Sequence, residues 1–329
     1  MFKEAMFWTS LPGNTIRCML CPHHCVLLPN HTGICRQYQH QDSRLISLSY
    51  GSAASIAIDP IEKKPLYHVF PGEKILSIGG YGCNLSCGFC QNHTLAFGSG
   101  PVKSITPETL IQLLHEHSLS HLAFTYNEPF TNYEFMLETF QALQAERLTT
   151  VIVTNGFIEE KPLLTLLPWV NAMNIDWKGS SAFYHDICRG ELETVKQTIQ
   201  HAFTRCHIEI SYLIIPGKND SRIDLIQCRD FLAQLSPDIP VHLNRYYPAY
   251  HFSIPPTPLE TLWEARQLFL ESMHYVYIGN TDIPEAQHTY CHHCHAILIK
   301  RNNYELYYTH IHQGRCMACG EKVNLLTRE

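Results

Sequence analysis

From residue 75 to residue 279 the chain alternates two patterns of apolar positions. Short β-type runs lie at 75–80, 121–127, 149–155, 171–178, 207–215, 241–246 and 275–279, and they read as strands. Between them, segments at 107–118, 131–146, 159–169, 192–205, 222–235 and 258–273 read as helices. In the last of these Leu259, Leu262, Trp263, Phe269, Leu270 and Met273 recur at about helical spacing. Two helix starts are signalled: Thr257-Pro258-Leu259-Glu260 as a capping box with proline at the first helical position, and Ser221 with Asp224 as the same device. Alternation of this kind implies parallel strands joined by right-handed crossovers. With six or seven units, the predicted fold is α/β, a partial (β/α)6-type parallel barrel. Its chemistry belongs at the C-terminal ends of the strands.

The flanks have other patterns. Residues 44–58 alternate apolar and small side chains and predict one or two strands. Asp59 to His68, with two prolines and four charges, reads as an ordered loop and, taken alone, as a surface turn. Past Gly279-Asn280 the composition shifts again. Three regions are expected: a Cys-rich segment 1–70, a barrel 71–285 and a terminal module 286–329. At 45% hydrophobic and 16% charged, 329 residues bury a sizeable core. A net charge of −6 argues against general nucleic-acid or membrane binding. The start of the chain shows no signal peptide, and no apolar stretch approaches the ~20 residues that span a bilayer. A soluble, cytoplasmic protein is expected.

Eleven of the fourteen cysteines fall in three groups, which reads as metal binding rather than disulfides. Cys83, Cys87 and Cys90 follow a strand and a Gly-rich turn at C-x3-C-x2-C spacing. Three thiolates there can hold three corners of a 4Fe–4S cluster. With no fourth local cysteine, one iron keeps an open position, the mark of a catalytic site. Cys18, Cys21, Cys25 and Cys35 form a closed set that suits zinc or a second iron–sulfur cluster. The nine-residue gap before Cys35 leans toward zinc, as a staple closing a loop. Cys291, Cys294, Cys316 and Cys319 pair two C-x2-C knuckles as in a zinc ribbon. That region carries five Lys/Arg against three Glu, too weak a balance for nucleic-acid binding. Cys188, Cys206 and Cys228 read as core or helix residues.

Polar residues at other strand ends become candidates by location: Thr125 to Glu128, Thr154-Asn155-Gly156, Asn174 with Asp176 and Lys178, Glu209 with Ser211, and His242 with Asn244.

Together with Ile215-Pro216-Gly217-Lys218-Asn219-Asp220, Arg245, Pro248, Pro256 to Leu262 and the Tyr277-Ile278-Gly279-Asn280 exit, these stretches resemble one family over nearly the whole chain. It is the AmmeMemoRadiSam system radical SAM (S-adenosylmethionine) enzyme, a relative of the pyruvate formate-lyase-activating enzymes. The resemblance implies that Cys83, Cys87 and Cys90 ligate the catalytic 4Fe–4S cluster, whose open iron binds S-adenosylmethionine. It implies that Glu128 meets the amino group of that cofactor, in Tyr126-Asn127-Glu128 where relatives have Gly-Gly-Glu. Asn155, Asp176, Lys178 and His242 match positions lining the cofactor pocket. One electron, from a reductant such as flavodoxin or ferredoxin, cleaves the cofactor to methionine and a 5′-deoxyadenosyl radical, which abstracts hydrogen from a substrate. Proteins of the AMMECR1 and Memo types are implied as pathway partners. Competing readings are a glycyl-radical activase and a non-catalytic iron–sulfur or zinc scaffold. The three-cysteine site argues against the scaffold, because an electron carrier would close its cluster with a fourth cysteine.

Overall fold

The structure is a computed structural model that describes residues 3–327. Its centre is a sheet of eight strands: β1 (Ser55–Pro60), β2 (Lys74–Gly79), β3 (His121–Phe124), β4 (Thr149–Thr154), β5 (Ala172–Asp176), β6 (His207–Ile214), β7 (Val241–Arg245) and β8 (Val276–Gly279). Each strand pairs with its neighbour in sequence, from β1 at one edge to β8 at the other. Strands β2 to β8 are parallel, as the alternation predicts. Leu122, Ala123 and Phe124 of β3 are all buried, as expected where crossovers cover both faces of a parallel sheet.

Six helices make the crossovers: α1 (Pro107–Glu116), α2 (Tyr133–Ala145), α3 (Glu160–Leu166), α4 (Leu192–Phe203), α5 (Arg222–Leu235) and α6 (Leu259–Leu270). Thr106 caps α1 by accepting from Thr109 N, with Pro107 in the first turn. Ser221 caps α5 through Asp224 N, as expected. The capping box at Thr257 does not form. Helix α6 starts at Leu259, and the Thr257 hydroxyl instead donates to Ile214 O and accepts from Tyr246 N. A tertiary bond between β6 and the chain after β7 has taken the capping group.

The sheet reaches back to Ser55, because β1 adds an antiparallel edge to β2 with Ser55 opposite Gly79 and Pro60 opposite Lys74. The run from Asp59 to His68 is not a surface turn. It holds a short 3-10 turn at Ile61–Lys63, and Ile61, Glu62, Lys64, Leu66, Tyr67 and His68 are buried. The N–H groups of Tyr67 and His68 donate to the buried Glu209 carboxylate at 2.9 and 2.7 Å. Burial disfavours that charge, yet hydrogen bonds from His207 and His242 hold the carboxyl well below its usual range.

The C-terminal module pairs Thr289–Tyr290, Ile297–Asn302 and Glu305–Thr309 antiparallel. Its core is shared with the barrel, since Cys291, Leu298, Ile299, Cys316 and Val323 pack with Tyr67, Tyr275 and Tyr277. Arg301, fully buried, donates to Tyr67 O at 2.6 Å and pairs with Glu62. Among the described residues no helix is long and apolar enough to cross a membrane.

His68 joins the two parts through Asn324 O and Tyr277 Oη, at 2.8 and 2.7 Å. Burial pushes its imidazole down from 6.5 to about 4. A depressed folded value means that the neutral ring is the one folding favours. Its contribution is full above the unfolded value and fades as pH falls toward 4. Acidification from pH 7 to pH 5 should therefore cost about 2 kcal/mol through this group. Thermal unfolding across that range checks it, and His68→Gln should flatten the slope. An unchanged slope would remove His68 from the account.

Candidate functional site

At the C-terminal edge of the sheet lies a cleft of about 550 Å³, within the usual range for a small-molecule site. Cys83, Cys87 and Cys90 line one wall. They stand in the loop between β2 and the short helix His93–Ala96. Glu128, Asn155, Asp176 and Lys178, from the ends of β3, β4 and β5, line the same cleft, with Thr125, Thr154, Asn174, Ser211 and Asn244. The sheet thus collects seven of the eight residues expected at the cofactor site. His242 is the exception. It lies deeper, buried, with Nε2 2.6 Å from Glu209 Oε2 and its ring stacked on Tyr277. Glu209 likewise serves the barrel floor rather than the cleft.

The three thiols fit a cluster better than a single ion. No three thiol, imidazole or carboxylate ligands at this loop lie within 4.8 Å of one another. Separate irons of a cube accept such a spread, one thiolate each. No other cysteine lines the cleft. Cys188 lies nearby, fully buried. The neighbouring Cys188 thiol and burial push the Cys87 thiol well above its usual value, and burial pushes Cys90 up to about 11. Loading must therefore displace protons.

Asn155 supports the loop. Its Nδ2 donates to Asn84 Oδ1 at 2.9 Å and approaches Cys83 Sγ at 3.7 Å, and its Oδ1 accepts from Phe157 N. The turn that aims it needs Gly156, at φ +71, where a Cβ would stand 3.0 Å from Ile175 Cγ2. Glu128 is buried, accepting from Thr154 Oγ1 at 2.7 Å, Asn155 N at 2.9 Å and Phe130 N at 3.1 Å. Burial pushes it up to about 7 despite these bonds. Because two N–H groups and a hydroxyl converge on this carboxylate, Glu128→Gln leaves at least one donor facing an amide NH2. It should destabilise the fold by about 1–3 kcal/mol, read as a lower midpoint in thermal unfolding. Wild-type stability in that variant would refute the arrangement.

Sequence reasoning missed part of the wall. Lys63, Lys64 and Pro65 line the cleft from the buried run after β1, and Tyr304 lines it from the C-terminal module. Lys64 Nζ donates to Asp59 at 2.6 Å and lies 4.3 Å from the Tyr126 ring centre, while Tyr126 Oη also donates to Asp59. Tyr126 stands at φ +74, a conformation that favours glycine. The Asp59 and Lys64 contacts brace the tyrosine in that backbone shape. The paired charges in Asp59-Pro60-Ile61-Glu62-Lys63-Lys64 were the available signal.

The C-terminal thiols converge closely. Cys291 and Cys319 sulfurs are 3.6 Å apart, those of Cys294 and Cys316 3.7 Å, and all four lie within 4.8 Å of one another. That spacing suits one tetrahedral ion, since sulfurs about 2.3 Å from zinc stand roughly 3.8 Å apart. Cys18, Cys21, Cys25 and Cys35 line a separate cavity behind the catalytic loop.

Residues 77–228, which carry the three-thiol loop and much of the parallel sheet, match the sequence profile of the radical SAM superfamily, and the chain is a radical SAM enzyme. It is 38% identical over 333 residues to the uncharacterized protein MJ0808 of Methanocaldococcus jannaschii, covering 98% of this chain and 99% of the relative. Solved structures share the fold. TYW1 with a lysine–pyruvate adduct superposes with a TM-score of 0.50 at 16% identity, over 70% of this chain and 88% of that one. SuiB of Streptococcus suis bound to S-adenosylmethionine gives 0.50 at 14%, over 67% and 54%. Membership implies a 4Fe–4S cluster and S-adenosylmethionine, and the donor set of the loop fits the cluster.

Proposed function

We propose that this protein cleaves S-adenosylmethionine reductively at the Cys83, Cys87 and Cys90 loop and uses the radical to take hydrogen from a substrate in the same cleft. The carrying observation is three thiols on the wall of a cofactor-sized cleft that no fourth cysteine lines. When bound, the cluster supplies the electron that splits S-adenosylmethionine into methionine and a 5′-deoxyadenosyl radical. The chain's own residues bind and orient. Glu128 offers a buried carboxyl to the cofactor's ammonium, whose positive charge favours the ionised form, and its hydrogen bonds fix the group in place. Asn155 holds the Cys83 loop. Lys178, paired with Asp176 at 2.9 Å, presents a cation to the cofactor's carboxylate while Asp176 stays available for hydroxyl groups. Burial alone would lower Lys178, but the Asp176 charge keeps its ammonium strongly protonated.

The finer assignments belong to the same proposal. A flavodoxin- or ferredoxin-type protein supplies the electron, and the Cys291, Cys294, Cys316 and Cys319 site holds structural zinc. On the motif resemblance, the pathway is one shared with AMMECR1-type and Memo-type proteins. The test is anaerobic reconstitution with iron and sulfide, then reduction in the presence of S-adenosylmethionine. Formation of 5′-deoxyadenosine is the expected result. A reduced, iron-loaded protein that leaves S-adenosylmethionine intact would overturn the reading.

A further inference from the structure

The N-terminal cysteines occupy a site of their own. Cys18 ends the strand Thr15–Cys18, and Cys25 precedes the strand Val26–Leu27, with Cys18 N donating to Cys25 O at 3.0 Å. Cys21 opens a tight turn closed by His24 N, and Cys35 lies in the turn where Arg36 N donates to Gly33 O. All four side chains face one cavity.

We propose that Cys18, Cys21, Cys25 and Cys35 hold a second 4Fe–4S cluster, closed by four thiolates, directly behind the catalytic loop. Spacing is the first argument. The C-terminal sulfurs all lie within 4.8 Å of one another, whereas no three ligand atoms of the N-terminal group do. Sulfurs closed on zinc stand roughly 3.8 Å apart and leave no void between them. Here the four cysteines instead line a cavity between them. The same wide spread marks Cys83, Cys87 and Cys90. This spread favours a cluster over the zinc expected from the sequence.

Ligand chemistry is the second argument. The nearby imidazoles are engaged elsewhere: His23 Nε2 lies 2.7 Å from Asn84 O, and His24 Nε2 lies 3.0 Å from Glu159 Oε1. Four sulfurs remain, a set that thiophilic iron clusters share with zinc. Four thiolates close all four irons and leave none for S-adenosylmethionine, so this site differs in kind from the catalytic one.

Its place in the fold is the third. Asn84, the residue after Cys83, forms part of the wall of this cavity. Cys35 O lies only 2.8 Å from where a Cβ on Gly82 would stand. One layer of backbone thus separates the two cysteine sets.

The experiment counts metals in the anaerobically reconstituted full chain and in the Cys83→Ala/Cys87→Ala/Cys90→Ala variant. The wild type should carry about eight irons and the variant about four, each with one zinc. The variant should also keep a dithionite-reducible cluster signal in electron paramagnetic resonance. Two zincs and no iron in the variant would overturn the proposal, as would one zinc and nothing else. Should the triple variant fail to fold, Cys18→Ser/Cys35→Ser in the wild-type background decides. Iron should then fall by half with zinc unchanged, and a loss of zinc with iron retained would overturn the proposal.

Discussion

Cys87→Ala should reduce 5′-deoxyadenosine formation to the level seen without enzyme, while the secondary structure of the barrel is retained. Cys87 is one of only three thiols that line the cleft, and a cluster with two thiolate ligands and an open iron is poorly held. Cys188 is the thiol beside Cys87 that does not line the cleft. It is fully buried behind Cys87, and its carbonyl accepts from Ser86 N at 2.8 Å, which fixes it in the wall. Moving it to the cleft would break that bond and open a cavity. Cys188→Ala should therefore retain product formation where Cys87→Ala loses it. Full turnover by the Cys87→Ala protein would end the proposed mechanism.

With structural zinc at the C-terminal site as proposed, its removal should unfold the module that carries it and loosen the barrel floor. Structural zinc contributes roughly 10–16 kcal/mol in small peptides, and a segment of this size has too little core of its own. The loss would spread, because Cys291 and Cys316 pack with Tyr67, Tyr275 and Tyr277 of the barrel. Arg301 would lose its frame, leaving the buried Glu62 carboxylate without its cation. Cys294→Ser/Cys319→Ser should lose one zinc per chain and show faster amide exchange around Tyr67 and Tyr277. A zinc-free chain with the wild-type melting point would refute this.

Much of the barrel was legible because its signals are local. Each of the seven strand-like runs from 75 to 279 became a parallel strand, and Ser221 capped its helix. The residues gathered at the cleft were legible by the same logic, since a strand's end fixes which side chains it presents. What failed depended on partners distant in sequence. Thr257 has the right residues after it for a cap, but Ile214 O and Tyr246 N compete for its hydroxyl. His242 sits on its strand beside the expected candidates, yet its bond to Glu209 keeps it out of the cleft wall. The charged run after Asp59 resembles a surface turn until its lysines meet Tyr126 and its N–H groups meet Glu209. At the N-terminal cysteines, sequence spacing brought four thiols to one cavity but carried no distances between sulfurs, which separate one ion from a cube.

The cleft draws its wall from widely separated stretches: Lys64 before the barrel, the cysteine loop near its start and Tyr304 after its last strand. During synthesis the loop leaves the ribosome long before Tyr304 exists, so a nascent chain presents its thiols in an unfinished cleft. Loading of an oxygen-sensitive cluster at that stage would expose it to solvent and to stray oxidants. An order of assembly that would protect it is release first, metal insertion second, and cofactor last.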